Sequence, residues 1–417
     1  MILIKRLYIF ALMVVPILYF PLVEHGNYSQ SPKQVALVLT SCFILGYFLF
    51  KGRKTIDLYL LKCDICIIVY FALSAISGAL SKDFLISIYG SLHRSEGLVT
   101  ILVYIVLFYF ARNVRSNIAR VVLVGSTIVS IIGILQRLGI NVLPTNYITE
   151  GWTNVAYSTI GNPNFLGSYL VLVLPIAMYE YVGLKKWYGI PIYGLLFYCL
   201  LATMSRGPWL GAMFAFGSVA FLMWKYGKFD LKRFSALVVL SLSLILLFNI
   251  TSNGALLSRF KTIGNDIGEV VSGGENIEQA GSYRMFIWIR SFELVKQNPI
   301  WGVGIEQLGY AFIDNYSDDM IQQFGYVGFI DRAHNEYLHI AVSSGIPSLL
   351  LYLLFLWLVL RAGWINLSKN SMLIPVYSAV LGYLLQAFFN ISVVSVAYLF
   401  WIYLGFLVSV DTRDKTS

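Results

Sequence analysis

Charge is what this chain has least of. Only 12% of its 417 residues are Asp, Glu, Lys or Arg, against roughly a quarter in soluble domains, and no soluble fold of this length could hide the apolar surface that remains. Cysteine is scarce as well: Cys42, Cys63, Cys66 and Cys199 fall in or beside apolar runs, so no disulfide framework is indicated. Cys63 and Cys66 have a metal-like spacing, but no second pair accompanies them and helix packing is the plainer reading. Long polar stretches are missing until Thr251 to about Glu336. A soluble-facing site therefore has few places to be built.

What is present is apolar sequence in bilayer-sized lengths, a hydrocarbon core taking roughly 20 residues of helix. Such runs lie near 7–23, 34–50, 63–80, 97–111, 119–138, 164–182, 187–204, 208–224, 234–250, 337–360, 372–391 and 393–410. The expected fold class is all-α, a polytopic membrane protein of about twelve transmembrane helices. It should carry one large extracytoplasmic loop containing short amphipathic helices. The first run follows Lys5 and Arg6 like a signal peptide, yet no small-x-small cleavage site precedes the polar stretch from Glu24 to Lys33, so it reads as a retained anchor.

Lys and Arg in short loops resist translocation and set orientation. With the N-terminus inside, the loops beginning at Lys51, Arg112, Lys185, Lys225 and Arg361, together with both termini, collect roughly 19 of the 30 basic residues on the cytoplasmic side. The net charge of +9 is then mostly topological and needs no nucleic-acid partner. The expected organisation is nine transmembrane helices in 1–250, a catalytic loop at 251–336, and three helices plus a cytoplasmic tail in 337–417. Outward-facing basic residues, chiefly Arg94, Arg206, Arg259, Lys261, Arg284, Arg290, Lys296 and Arg332, work against the insertion bias and are better candidates for function.

Two outer segments are long, Gly139 to Pro163 and Thr251 to about Glu336. In the second, Gly264 to Gly281 is rich in Gly, Glu and Asn and reads as a mobile tip. From Ser282 to Val295, Tyr283, Phe286, Ile287, Ile289 and Phe292 make an amphipathic helical face, expected to lie against the membrane surface without forming a separate domain.

Four constellations could carry chemistry. Arg206, in Ser205-Arg206-Gly207-Pro208, sits at the outer boundary of two apolar runs, where it either snorkels to lipid headgroups or meets an anion. Pro208 at a helix start leaves N–H groups pointing at the same place. Arg284 and Arg290 precede a turn, Pro299 to Gly304; they suit a pyrophosphate clamp or salt bridges to Glu293 or Glu306 equally well. His334, one of only four histidines, lies where the loop re-enters the membrane, which suits a base titrating near neutrality, though a lone His is commonly structural. The spacing of five to His339 rejects a His-Glu-x-x-His zinc site. Arg94, beside a re-entrant candidate at Asp83 to Leu92, and the turn Gly161-Asn162-Pro163-Asn164 are weaker signals.

In order and placement these motifs resemble the O-antigen ligase and polymerase superfamily over roughly residues 90–390: Ser205-Arg206-Gly207, Arg284 four residues before Trp288, Pro299 to Gly304, and His334-Asn335-Glu336-Tyr337-Leu338 before Gly345-Ile346-Pro347. The resemblance implies a bacterial cytoplasmic-membrane enzyme with both termini inside. Its donor would be a glycan on undecaprenyl pyrophosphate, and its acceptor a glycan, lipid or protein. Neither metal nor cofactor is implied, nor nucleic acid. It makes His334 the group that activates the acceptor hydroxyl and Arg206 and Arg284 the pyrophosphate contacts, with Arg94, Arg290, Arg332, Asn335 and Glu336 as supporting candidates. A flippase of lipid-linked sugars is the competing reading. Such a protein should carry ionisable residues deep in its spans, whereas the outward basic residues here gather at one boundary.

Overall fold

The computed structural model describes residues 2–20, 28–52, 61–112, 118–144, 152–272 and 277–409. Glu24, Arg53, Lys54, Arg115, Arg413, Lys415, part of the first long outer segment (145–151) and part of the expected tip (273–276) lie outside them. The described chain is helical throughout: α1 Ile2–Met13, α2 Gln30–Tyr47, α3 Lys62–Ala79, α4 Phe84–Tyr89, α5 Leu98–Ala111 and α6 Ala119–Arg137 are followed by α7 Pro163–Val182, α8 Gly189–Ala202, α9 Arg206–Lys225 and α10 Leu231–Thr251. Then come α11 Ala255–Ser272, α12 Ala280–Gln297, α13 Leu308–Phe324, α14 Glu336–Ser344, α15 Ile346–Leu367, α16 Ile374–Gln386 and α17 Val394–Leu407.

This is an all-α polytopic membrane protein. Among the described residues eight helices, α2, α3, α6, α7, α9, α10, α15 and α16, are long and apolar enough to cross a bilayer; α5, α8 and α17 are apolar but shorter. The run expected at 7–23 is helical only as far as Met13, with a 3-10 turn at Val15–Ile17 built around Pro16. The run expected at 337–360 is two helices, broken at Gly345 (φ 86°) between α14 and α15. The physical cause is a neighbour: a Cβ at Gly345 would stand 1.9 Å from the carbonyl oxygen of Ile300. The candidate at Asp83 to Leu92 is the short helix α4, started by the Asp83 carboxylate accepting from the Ile86 N–H.

In lipid, apolar contact alone does not drive helices together, so close backbone approach and polar contacts must. Helix α7 is buried along nearly its whole length, and Asn162 caps it by accepting from Asn164 N at 2.8 Å. Gly167 of α7 admits the Pro208 ring, which a Cβ would meet at 2.6 Å; Gly211 of α9 and Gly382 of α16 face each other's carbonyls, 2.7 Å from an added Cβ. Ser168 donates to Gln386 Oε1 (2.9 Å) and accepts from Asn390 Nδ2 (2.7 Å), tying α7 to the end of α16. Fully buried Lys33 donates to three carbonyls, of Leu18, Ser29 and Thr159. By contrast α10 leaves most of its apolar side chains outward, as a lipid-facing helix does.

The segment after α10 departs from expectation. Its tip is helical through Ser272, the end of α11. Beyond it α12, α13 and α14 enclose a second hydrophobic core around Phe286, Leu294, Leu308, Phe312, Met320 and Val342, separate from the main bundle core. The buried face of α12 is rotated from the one expected: Phe286, Ile287, Leu294 and Val295 are buried, while Tyr283 and Phe292 are exposed. Tyr283 belongs to a kink in which Gly281, Ser282 and Tyr283 adopt left-handed φ of 65°, 61° and 65°, and Phe292 lies about 240° of helical rotation from Phe286, off the buried face.

Candidate functional site

The first component is the N-terminus of α9. Thr203 Oγ1 and Trp209 Nε1 both donate to the Leu200 carbonyl, at 2.7 and 3.1 Å, folding the chain into a tight turn in which Met204 takes a left-handed φ of 53°. Such strain in a non-glycine residue persists only where its surroundings hold it. Ser205 caps nothing with its side chain, its hydroxyl bonding back to the Thr203 carbonyl. Arg206, the first helical residue, donates from Nη1 to Thr262 Oγ1 (3.1 Å) and from Nη2 to Ser282 Oγ (3.2 Å). It thereby meets the kink that precedes Arg284.

The second component is α12. Trp288, one helical turn beyond Arg284, donates its indole N–H to the carbonyl of Ala333 at 2.9 Å. The helix that carries Arg284 is thus fastened to the peptide just before His334. The turn after α12 does more than end a helix. Val303 N and Gly304 N donate to the carbonyls of Val342 and Ser343, and Ile346 N to that of Pro299. Gly302 (φ 69°) lets this contact form, since a Cβ there would stand 2.5 Å from the Ser343 carbonyl carbon. The turn is a dock for the end of α14.

The third component is residues 331–336. His334 has a left-handed φ of 50°, and Asn335 caps α14 by accepting from Leu338 N at 3.1 Å. On either side the chain is clamped by ions. Asp331 takes a two-pronged contact from Arg94, Nε to Oδ2 at 2.6 Å and Nη2 to Oδ1 at 3.0 Å. Arg332, buried, pairs with buried Glu306, whose other oxygen accepts from Ser91 N at 3.2 Å. Glu306 is itself left-handed, at φ 61°. These two pairs draw the segment after α4, the turn before α13 and the His334 turn into one structure.

The electrostatics follow. Burial disfavours the charged forms of all these groups, but the Arg94 guanidinium holds the Asp331 carboxyl well below the usual range. His334, half-buried, is pushed down to about 4 by desolvation and then by the positive charges of Arg284 and Arg94. The expectation of a base titrating near neutrality is therefore wrong for this arrangement. The imidazole is uncharged at neutral pH, with a lone pair available.

Of the supporting candidates, Arg94 and Arg332 are occupied by Asp331 and Glu306. Arg290 pairs with Glu278 and Asp319 and packs over the Phe286 ring. Its partners are neither Glu293 nor Glu306, because the kink turns it toward the start of α12 and toward α13. Glu336 is buried and accepts from Tyr352 Oη at 2.9 Å. The sequence offered Glu306 only as a salt-bridge partner for Arg284 or Arg290, whereas the structure pairs it with Arg332. Among the described residues no cluster of His, Cys, Asp and Glu could hold a metal ion, and Cys63 and Cys66 flank Asp64, which pairs with Arg112 at 2.7 Å.

Residues 192–353 match the protein family described as O-antigen ligase. A general O-oligosaccharyltransferase from Acinetobacter baylyi is 24% identical over 223 residues, 52% of this chain and 36% of that protein. Residues 192–353 are thus similar to the O-antigen ligase family. The O-antigen ligase region runs from within α8 into α15 and contains Arg206, Arg284, Glu306, Arg332 and His334. Arg94, which grips Asp331 of the O-antigen ligase region, comes from outside it. The matched part spans about a third of the length of the relative.

Proposed function

We propose that the protein is a membrane glycosyltransferase that moves a glycan from undecaprenyl pyrophosphate to an acceptor hydroxyl, on the outer face of a bacterial cytoplasmic membrane. The observation that carries this reading is the joining of three elements at one place: Arg206 bonds Ser282 beside Arg284, and Trp288 on the same helix bonds Ala333 beside His334. The similarity of residues 192–353 to the O-antigen ligase family supports the reaction class.

In this reading the uncharged His334 takes the acceptor's proton as the acceptor oxygen attacks the anomeric carbon. The bond from that carbon to the pyrophosphate oxygen breaks, and its electron pair leaves with the pyrophosphate. Arg206 and Arg284 stabilise the charge that develops there, as planar forks matched to phosphate oxygens. The first N–H groups of α9, not capped by the Ser205 side chain, favour the same anion. Attack from the face opposite the leaving group inverts the anomeric centre. The proton then passes from His334 to water or to the departed pyrophosphate.

Donor binding also resolves the low basicity of His334. A pyrophosphate brings negative charge that offsets Arg284 and Arg94, the foremost of the cations that depress the imidazole. The base strengthens as the donor arrives. Arg94, Arg332 and Asn335 position the His334 turn and need not touch substrate.

The test is transfer from a lipid-linked oligosaccharide in purified, reconstituted protein. His334→Ala should lower turnover by roughly 10² to 10⁴ fold, the usual worth of a general base, with donor binding nearly intact. Wild-type turnover by that variant would remove His334 from this role. A reporter fused near residue 273 should be exported; activity of a cytoplasm-only reporter there would overturn the orientation.

A further inference from the structure

Beneath the His334 turn, among α3, α5, α14, α15 and α17, lies a cavity of about 80 Å³. Three carboxyls line it, those of Glu96, Glu306 and Glu336, against one cation, Arg332. Arg332 and Glu306 neutralise each other as an ion pair. Glu96 and Glu336 have no such partner among the described residues. Glu96 accepts from the phenol of Tyr104 (2.5 Å) and, more distantly, from Ser392 (3.5 Å); Glu336 accepts from the phenol of Tyr352.

Three polar atoms bordering this space are buried with no protein partner: Glu336 Oε2, His339 Nδ1 and Ser343 Oγ. Glu336 is only 9% exposed. Buried polar atoms are rarely left unsatisfied, and a polar cavity with room for several waters, each needing ≳10–15 Å³, is normally wet. The remaining difficulty is charge. Two ionised carboxylates facing neutral phenols in a low-dielectric interior would be uncompensated, which costs several kcal/mol per ion. The titratable groups facing them from every side are the phenols of Tyr70, Tyr104, Tyr352 and Tyr383, the imidazole of His339 and the Arg332–Glu306 pair. The phenols are neutral near pH 7; His339 is kept uncharged by burial and by Arg332.

We propose that this cavity is a hydrated proton-binding site, in which Glu96 and Glu336 share at least one proton at neutral pH and ordered water links them to His339. The direction of titration agrees: burial raises Glu96 to about 8 and Glu336 to about 7. The inference stands apart from the role given to His334, since it concerns the ground state of a different set of residues.

Infrared difference spectroscopy of the full chain in lipid nanodiscs tests it. At mildly acidic pH the wild type should show a carboxylic-acid C=O band that shifts in D₂O, weakens in Glu96→Gln and in Glu336→Gln, and fades as pH rises through about 7 to 8. A spectrum in which neither substitution removes any carboxylic-acid intensity overturns the proposal. Thermal unfolding gives an independent reading if a variant yields too little protein. A carboxyl whose folded pKa is raised stabilises the fold most below its unfolded pKa near 4.3 and loses that contribution as pH rises through the folded value. The wild type should therefore lose thermal stability across that window and the double Gln variant should not. Parallel pH curves for the two proteins would sink the idea.

Discussion

Trp288 Nε1 donates to the Ala333 carbonyl at 2.9 Å, and this bond is the direct link between the Arg284 helix and the His334 turn. The acceptor belongs to a residue with no exposed surface, so losing the donor leaves a buried carbonyl unpaired at a cost of about 1–3 kcal/mol. Trp288→Phe keeps most of the apolar body and removes only the N–H. Turnover is expected to drop by about 10-fold, one decade per 1.4 kcal/mol, with donor KM little changed. Steady-state kinetics with a lipid-linked donor would settle this, and undiminished turnover would mean that the bond positions nothing.

Arg206 donates to two hydroxyls, of Thr262 and Ser282, that a phosphate could replace. Arg206→Lys and Arg284→Lys each preserve charge while losing the two-pronged planar geometry. Both should weaken transfer by about 10-fold or more, the worth of one charge-assisted hydrogen bond of roughly 1.5–3 kcal/mol. Equal activity of either Lys variant and wild type would show that charge alone suffices.

The apolar runs were legible because length and composition decide a span without knowledge of partners, and α3, α6, α7, α9 and α16 fall within a few residues of the runs that encode them. The turn Gly161 to Asn164, at which α7 begins, was likewise local chemistry. What could not be read depended on distant neighbours. The break at Gly345 is forced by Ile300, and the pairing of Arg94 with Asp331 joins residues from opposite ends of the chain. The face of α12 differs from the expected one because Tyr283 falls in a left-handed kink and Phe292 lies off the stripe that Phe286, Ile287, Leu294 and Val295 form. His334, Arg206 and Arg284 stood out as cations and a histidine where composition disfavours them, but the low basicity of His334 is a sum of burial and nearby arginines that no local pattern encodes.

Removing Glu306 should destabilise the protein more than removing Glu96 or Glu336. It would strand Arg332, which is 2% exposed, and breaking a buried pair from one side costs about 3–5 kcal/mol. Glu306→Ala is expected to lower the thermal midpoint sharply, while Glu306→Leu combined with Arg332→Met should recover much of it. Thermal unfolding of the three proteins in one detergent checks this. A single variant as stable as wild type would mean that water reaches and solvates Arg332.

The pH dependence of transfer separates free enzyme from donor complex. A base must be unprotonated, so the rate falls as pH drops through the pKa of His334. For free enzyme that pKa is about 4, below the ordinary imidazole value because burial, Arg284 and Arg94 all oppose the imidazolium. Bound pyrophosphate adds negative charge beside the same group, which favours the imidazolium and moves the pKa upward. The acid limb of kcat/KM, which reports free enzyme, should accordingly lie near pH 4, and that of kcat, which reports the complex, at higher pH. Arg284→Gln removes the foremost of the depressing cations, so it should raise the free-enzyme limb and narrow the gap between the two profiles. Coincident limbs in the wild type, or a kcat/KM limb unmoved by Arg284→Gln, would show that Arg284 does not govern the basicity of His334 and would break the electrostatic link on which the proposed site depends.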